Sequence, residues 1–217
     1  MSKPLRANAS PPGRQLVAGR NRRARNAVSY DDRMGAETVG MHMPAVVTLD
    51  DLAAMNASDQ NGHRYETSPE GVLSVMPPAD SEHAQIASRL LAWLIMAGWP
   101  AQQVLQVAGI RVPGSRRDGG RIPDVSVWGK APPRGVWLPV AELLLVIEIV
   151  SPGSEAMDEV TKRREYASAG IPQYWVVDRD DAQTVTLYQL SGADTYAEHA
   201  KMPLVWLLQT DPADHFG

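Results

Sequence analysis

The sequence contains no cysteine, and this absence excludes several classes of protein. Without a thiol the chain has no disulfide framework, no thiolate zinc site, no iron–sulfur cluster and no cysteine nucleophile. Long apolar runs are also missing. The longest, residues 143–150, is interrupted by Glu148 and is far shorter than the ~20 residues of a membrane-spanning helix. The N-terminus lacks the apolar core of a secretory signal, so we expect a soluble, cytoplasmic protein with no membrane partner.

Positive charge is scarce outside the N-terminal segment. Residues 1–43 contain eight Lys and Arg against three Asp and Glu, whereas residues 44–217 contain 13 basic and 22 acidic side chains. The net negative charge of the larger part argues against nucleic-acid binding by bulk electrostatics alone. It leaves open an acidic pocket that uses a divalent cation to approach a phosphate group.

The N-terminal segment, residues 1–43, shows no apolar periodicity and contains the basic run Arg20–Arg25. Low hydrophobicity combined with clustered charge is typical of disorder, and we predict a disordered basic tail. A solvated tail, an arm that contacts nucleic acid and a translation start further along at Met41 or Met43 are the alternatives.

Apolar periodicity and turn residues divide the rest of the chain into short elements. The predicted elements are a helix capped by Thr48, a hairpin of residues 65–66 and 72–76, a helix over 81–97 capped by Ser81, strands over 104–112, 123–128 and 143–150, a helix over 154–169, and strands over 173–178 and 184–190. This order predicts an α/β fold with a mixed sheet and few helices.

Glu148 interrupts the apolar strand 143–150, and a buried ionised carboxylate is costly without a partner. A salt bridge with Arg121 or Lys162 would satisfy it, and so would a cation bound at the end of the strand. Asp124 opens a neighbouring short strand, and two carboxylates on adjacent strands can share one hard divalent ion such as Mg²⁺. Water bound to that ion can become the nucleophile of phosphodiester hydrolysis.

Asp158, Lys162 and Tyr166 recur every four residues and therefore share one face of the predicted helix. If that face points toward Glu148, Lys162 can orient the attacking water or stabilise the charge of the transition state. The alternative is an exposed Asp158–Lys162 pair, which would contribute ~0.3–0.5 kcal/mol.

A series of short motifs occurs in order along the chain: Tyr65-Glu66, Gly71, His83, Pro123-Asp124, Val146-Ile147-Glu148-Ile149-Val150-Ser151-Pro152, Asp158, Lys162, Tyr166, Gly170-Ile171-Pro172 and Tyr174-Trp175-Val176-Val177-Asp178. Together these motifs resemble the Uma-type endonuclease family, within the PD-(D/E)xK restriction-endonuclease-like superfamily. The resemblance covers about residues 48–190 and is most specific over 148–178. It implies that residues 44–217 form a restriction-endonuclease-like domain, with an N-terminal β-hairpin and a mixed central sheet flanked by helices.

The resemblance also implies a metal-dependent nuclease in which Asp124 and Glu148 bind Mg²⁺, with Mn²⁺ as a possible substitute, and DNA is the substrate. The superfamily pattern has a lysine two residues after the second acid, where this chain has Val150. In the family the lysine role moves to the following helix, which implies Lys162 as the third catalytic residue.

Three further side chains are candidates for the site, each with a structural alternative. Glu66 matches the family's Tyr-Glu motif and would add a carboxylate, or it is an ordinary hairpin residue. His83 lies near the start of a helix that could approach the pocket, although a lone histidine is more often structural. Asp158 would face the same way as Lys162.

Basic side chains close to these acids are the predicted phosphate contacts. Arg121, together with Arg116 and Arg117, lies in a predicted loop before the strand 123–128, and Arg163 and Arg164 follow on the predicted helix over 154–169. Solvated helix charges are the alternative for Arg163 and Arg164.

The sequence therefore predicts a metal-dependent endonuclease that hydrolyses phosphodiester bonds in DNA. The alternative is a catalytically silent nuclease-fold module for dimerisation or partner binding, but the chain keeps both acids and the lysine, which favours an enzyme. The apolar segment 202–208 is expected to pack either on the core or against a second copy in a homodimer.

Deletion of residues 1–43 is expected to leave the melting temperature nearly unchanged, because this segment has no pattern that would bury apolar area. Thermal denaturation of the full chain and of the truncated chain measures the difference. A large drop in melting temperature on truncation would show that the tail docks on the domain.

Overall fold

The computed structural model describes residues 46–151 and 157–216, apart from the side chains of residues 157–159. The predicted tail over residues 1–43 and Ser154, the predicted cap of the second long helix, lie outside the described residues.

The described helices and strands follow the predicted order, but three strands were not predicted, Gly119–Arg121, Leu138–Pro139 and Tyr196–Pro203, and the predicted strand over 104–112 is two strands. The α-helices are α1 (Leu49–Ser58), α2 (Ser81–Met96), α3 (Arg163–Ser168), which continues from a π-helix (Met157–Lys162), and α4 (Leu204–Leu207). The strands are β1 (Arg64–Thr67), β2 (Leu73–Met76), β3 (Val104–Gln106), β4 (Ile110–Val112), β5 (Gly119–Arg121), β6 (Val125–Trp128), β7 (Leu138–Pro139), β8 (Leu143–Ile149), β9 (Gln173–Val177), β10 (Thr184–Leu190) and β11 (Tyr196–Pro203). Short 3₁₀ turns occupy Ala101–Gln103, Val140–Glu142 and Pro212–His215.

The strands form two mixed sheets. The order in the first is β2-β1-β5-β4-β7, and the order in the second is β11-β10-β9-β8-β6-β3. Each sheet contains one parallel pair, β4–β7 in the first and β8–β9 in the second, and the other pairs are antiparallel. The predicted α/β class with a mixed sheet, flanking helices and an N-terminal hairpin is confirmed, although the strands form two sheets rather than one.

The predicted strand over residues 104–112 is wrong, because the chain changes sheets within it. Val107 has a φ of 54°, a left-handed conformation that β-branched residues avoid and that ends β3. Gly109, predicted as a bulge, lies instead in the connection, where a Cβ would be 2.5 Å from the carbonyl oxygen of Val136. The apolar alternation continues across this break, so periodicity alone could not locate it.

Strand β8 is the central strand of the larger sheet, as its apolar sequence predicts. Its alternate residues Leu145, Ile147 and Ile149 pack into a core beneath α2 and α4. On the opposite face Val146 packs into a second core with β4, β7 and α3. By the same alternation Glu148 lies on the face of Val146, and so faces the second core.

The start of α2 is held by Asp80, one residue before the predicted cap Ser81. The Asp80 carboxylate accepts a hydrogen bond from the backbone N–H of His83 at 3.0 Å. Arg179, in the turn between β9 and β10, donates to Asp80 at 2.8 Å. These contacts fix the first turn of α2 and with it the backbone of His83.

The C-terminal segment packs on the core, one of the two predicted alternatives. Leu204 and Leu207 of α4 are fully buried, while Val205 and Trp206 on the same helix are exposed. The homodimer stays a prediction. Strand β11 was missed by sequence reasoning because it is an edge strand with mostly exposed or half-buried side chains and no clear apolar alternation.

None of the helices among the described residues is both long enough and apolar enough to cross a membrane.

Gly109→Ala is expected to lower the free energy of unfolding by about 1–3 kcal/mol, the usual cost of overpacking. The new Cβ would press on a backbone that cannot easily move, because Leu138 N–H donates to the Gly109 carbonyl at 2.9 Å. Gly135→Ala, in a neighbouring loop, is the control, since its Cβ would lie 4.0 Å from Leu138. Chemical denaturation should show a loss for the first variant only, and equal stabilities would contradict the close approach at Gly109.

Candidate active site

Side chains from five segments converge beside the end of β8. They are Arg64 and Glu66 from β1, His83 from α2, Asp124 just before β6, Glu148 from β8, and Lys162 at the end of the π-helix. All of them except Arg64 are at most 4% exposed.

The pairing of β6 with β8 brings the two predicted metal ligands to the same end of the sheet. Their antiparallel register pairs Val125 with Ile147, so the next step places Asp124 beside Glu148. The backbone N–H of Ile149 donates to Asp124 Oδ2 at 2.8 Å, which ties the carboxylate of one strand to the backbone of the other.

Asp124 is held as a carboxylate by two basic side chains. His83 Nε2 lies 3.0 Å from Oδ2, and Arg64 Nη1 donates to Oδ1 at 3.1 Å. Burial raises the pKa of Asp124, but the hydrogen bond and charge of His83 and the charge of Arg64 outweigh burial and hold that pKa below its ordinary value. The side chain is therefore ionised at neutral pH, and His83 is in direct contact with a predicted metal ligand.

Glu148 has a different set of partners. The Tyr166 hydroxyl donates to Oε1 at 2.7 Å, and Lys162 Nζ lies 3.0 Å from Oε2. Burial raises the pKa of Tyr166 well above its ordinary value, so the phenol keeps its proton and remains a donor at neutral pH. Each oxygen of Glu148 is thereby fixed, and the salt bridge to Lys162, one of the alternatives considered for this carboxylate, is present.

The alternative prediction of an exposed Asp158–Lys162 pair is wrong, because Lys162 is only 2% exposed. Its ammonium group lies between Glu148 Oε2 at 3.0 Å and Glu66 Oε2 at 3.5 Å. Asp158 lies in the π-helix, but its side chain is outside the described residues. Removal of Lys162 is therefore expected to cost stability, since it would leave buried carboxylates without a counter-charge.

Arg121 has no exposed surface with which to contact a substrate in this structure, contrary to its predicted place in an accessible loop. It lies in β5 rather than in a loop, and it is fully buried. Its Nε and Nη2 donate to the two carboxylate oxygens of Glu165, both at 2.7 Å, and its Nη1 donates to Glu66 at 3.3 Å. Burial lowers the pKa of Arg121, but these hydrogen bonds and charges outweigh burial and raise it. The guanidinium is thus a structural cation.

Glu66 joins the two ion pairs and is not an ordinary hairpin residue. Its Oε2 faces both Arg121 and Lys162, and its Oε1 accepts a hydrogen bond from the Ile122 backbone N–H at 2.8 Å. We call the linked side chains of Glu165, Arg121, Glu66, Lys162 and Glu148 the buried ion-pair network.

Arg163 contacts an aromatic ring rather than these carboxylates. Its guanidinium carbon lies 5.0 Å from the centroid of the Tyr188 ring on β10, a cation–π arrangement. A phosphate contact by Arg163 stays a prediction.

Arg64 and Glu165 are the two residues of the site that sequence reasoning missed. Arg64 had a signal, because it lies two residues before Glu66 and therefore shares its face of a strand. Burial lowers the pKa of Arg64, but the charge of Asp124, its hydrogen bond and the charges of Glu148 and Glu66 outweigh burial and raise that pKa. Its side chain is 19% exposed, whereas those of Arg121 and Lys162 are at most 2% exposed.

Asp124 and Glu148 suit a divalent cation only in a site with few protein ligands. No group of three or more His, Asp and Glu side chains in the described part of the chain is arranged to hold a metal ion. Mg²⁺, however, often binds through one or two carboxylates and keeps several waters. Asp124 and Glu148 supply two hard oxygen donors at one end of the sheet, and Arg64 Nη1 donates to Asp124 Oδ1 at 3.1 Å. The donor set therefore suits Mg²⁺ better than a metal that needs a full protein cage.

A family model named Uma2 and described as "Putative restriction endonuclease" matches residues 49–213. The chain belongs to the Uma2 family. The family match confirms the resemblance drawn from the motifs, and it supports a nuclease.

A solved structure similar to this Uma2 chain is described as a "putative nuclease belonging to DUF820" from Anabaena variabilis. It is 19% identical in sequence, with a TM-score of 0.48 over 68% of this chain and 84% of that chain. No curated protein matches the sequence.

Arg121→Met is expected to lower the free energy of unfolding by about 3–5 kcal/mol, because Glu165 and Glu66 would remain buried without their counter-charge. Arg111→Met is the matched control, since Arg111 forms only an exposed pair with Asp118 at 3.7 Å and should contribute less than about 1 kcal/mol. Urea denaturation compares the two variants. A small loss in Arg121→Met would show that the network does not stabilise the fold.

Proposed function

We propose that this Uma2 protein is a Mg²⁺-dependent endonuclease that hydrolyses phosphodiester bonds in DNA. Asp124 and Glu148 would bind the metal, and Lys162 would be the catalytic cation. The observation that carries the proposal is the placement of two buried carboxylates at the same end of β6 and β8, with the Lys162 ammonium group 3.0 Å from Glu148.

Mg²⁺ would bind through the oxygens of Asp124 and Glu148, and Mn²⁺ would bind the same hard donors. When bound, such an ion polarises the phosphate and lowers the pKa of a bound water so that it can attack phosphorus. Glu66 lies next to Lys162 and would add negative charge close to the ion without necessarily binding it.

The surrounding residues would keep both carboxylates in one orientation. The Ile149 amide and His83 hold Asp124, and Tyr166 holds one oxygen of Glu148. A preorganised site avoids reorganisation during the reaction, so these contacts are expected to matter for the rate as well as for stability.

Lys162 would replace the lysine that the superfamily pattern places on the strand. The corresponding position, Val150, is a buried residue of the second core and has no cationic group to offer. Lys162 brings an ammonium group to Glu148 from the following helix instead. There it would orient the attacking water or stabilise the negative charge of the transition state.

Arg64 would be the cation of the site that meets the scissile phosphate. Lys162 and Arg121 are almost completely buried, while Arg64 contacts Asp124 and is still reached by solvent. A guanidinium is well suited to phosphate oxygens because it offers several donors in one plane.

Asp124→Asn and Glu148→Gln are expected to abolish Mg²⁺-dependent DNA cleavage and Mg²⁺-dependent thermal stabilisation. Without metal both variants should melt lower than the unmodified chain, because Arg64 or Lys162 loses a charged partner. Cleavage of labelled DNA and melting temperatures with Mg²⁺ or EDTA measure the two effects.

Glu165→Gln is the matched control for these two variants. It also removes a buried carboxylate, but one that binds Arg121 on the far side of Glu66. It should lose stability and keep its response to Mg²⁺. If all three variants still respond to Mg²⁺, Asp124 and Glu148 are not the metal ligands. Absence of both cleavage and a Mg²⁺ response in the unmodified chain would support the non-catalytic alternative.

A further inference from the structure

A groove of about 820 Å³ lies beside the buried ion-pair network. Its walls come from the turn between β1 and β2, the loop between β4 and β5, and helix α3. The side chains that concern binding are those of Glu70, Arg116, Arg117, Arg164 and Glu165.

The groove is basic although the domain is acidic. Among the described residues Arg116 and Arg117 have no carboxylate partner, and Arg116 is exposed. Arg164 faces Glu70 at 3.5 Å, but both side chains are more than half exposed, and such a pair contributes little. Glu165, the other acid in the wall, is neutralised by Arg121. The groove therefore presents positive charge to solvent.

The guanidinium of Arg117 is held in position by the hairpin turn. Its Nη2 donates to the Glu70 carbonyl at 2.9 Å, and its guanidinium lies against Gly71 in the space where a Cβ would otherwise be. Gly71 also has a φ of 91°, which only glycine adopts without strain. The loop and the turn thus fit each other, and a cation is fixed at the groove.

The groove is linked to the candidate active site by a chain of side-chain contacts. Glu165 lines the groove and binds Arg121, which in turn contacts Glu66. Strand β1 carries Arg64 and Glu66 and leads directly into the turn that forms one wall.

We propose that this groove binds the phosphodiester backbone of DNA next to the catalytic carboxylates, a proposal that rests on DNA as the substrate of the proposed function. Arg116 and Arg164 contact phosphates on the two sides of the groove, and Arg117 shapes the wall between them. The domain as a whole carries excess negative charge and does not attract DNA, so the positive charge of the groove supplies the local attraction for phosphate.

Binding of fluorescein-labelled duplex DNA, measured by anisotropy in EDTA, tests the groove without cleavage. Arg116→Glu and Arg164→Glu are expected to weaken binding and to reduce the slope of log K against log salt concentration by about 1 for each lost phosphate contact. Arg134→Glu is the matched control, because it makes the same charge change at an exposed arginine that does not line the groove. It should bind DNA with nearly the affinity and salt slope of the unmodified chain.

Equal affinities of Arg116→Glu, Arg164→Glu and Arg134→Glu, at unchanged melting temperatures, would overturn the proposal. So would the absence of DNA binding, or displacement of DNA by inorganic phosphate at constant ionic strength, which would indicate a site for small anions. The proposed function can fail separately from the groove proposal. If DNA binding depends on the groove arginines but the unmodified chain does not cleave DNA in Mg²⁺, the groove proposal stands and the nuclease proposal is wrong. If the unmodified chain cleaves DNA but the groove variants bind DNA like the control, the nuclease proposal stands and the groove proposal is wrong.

Discussion

Glu66 is the junction on which the site depends. One of its oxygens faces both Arg121 and Lys162, and the other accepts the Ile122 amide. Buried charges stabilise a fold only when each has partners, so removal of any member exposes the others to the full cost of desolvation. Charge therefore helps to join the β1–β2 hairpin to the rest of the domain, together with the Thr67–Gly120 register of β1 and β5 and two hydrogen bonds between the Asn56 side chain of α1 and the Tyr65 backbone.

The charge balance of the site explains why a divalent ion suits it. Four carboxylates, those of Glu66, Asp124, Glu148 and Glu165, face three permanent cations, Arg64, Arg121 and Lys162, and the imidazole of His83. One cation, Arg121, is committed to the side of the network that faces the groove. When His83 is neutral, the acids at the start of β6 and near the end of β8 are left with an excess of negative charge, which a small cation would neutralise.

Local patterns predicted much of the fold and the two acids. An apolar strand interrupted by Glu148 and a carboxylate opening the next strand are visible in the sequence because each violates the expected burial of its segment. The burial of Arg121 and Lys162 is not visible, because a charged residue is normally exposed and its partners, Glu165 and Glu66, lie far away in sequence. The break between β3 and β4 was not predicted for a related reason. It depends on contact with the segment around Val136, which is distant in sequence.

The contact between Gly71 and Arg117 has a consequence for sequence variation. The guanidinium occupies the volume that a side chain at position 71 would need, so the size of one residue limits the size of the other. A relative with a larger residue at position 71 would have to carry a shorter side chain at position 117 and a different backbone at the turn. The two positions are thus expected to covary among homologues, although 46 residues separate them in the chain.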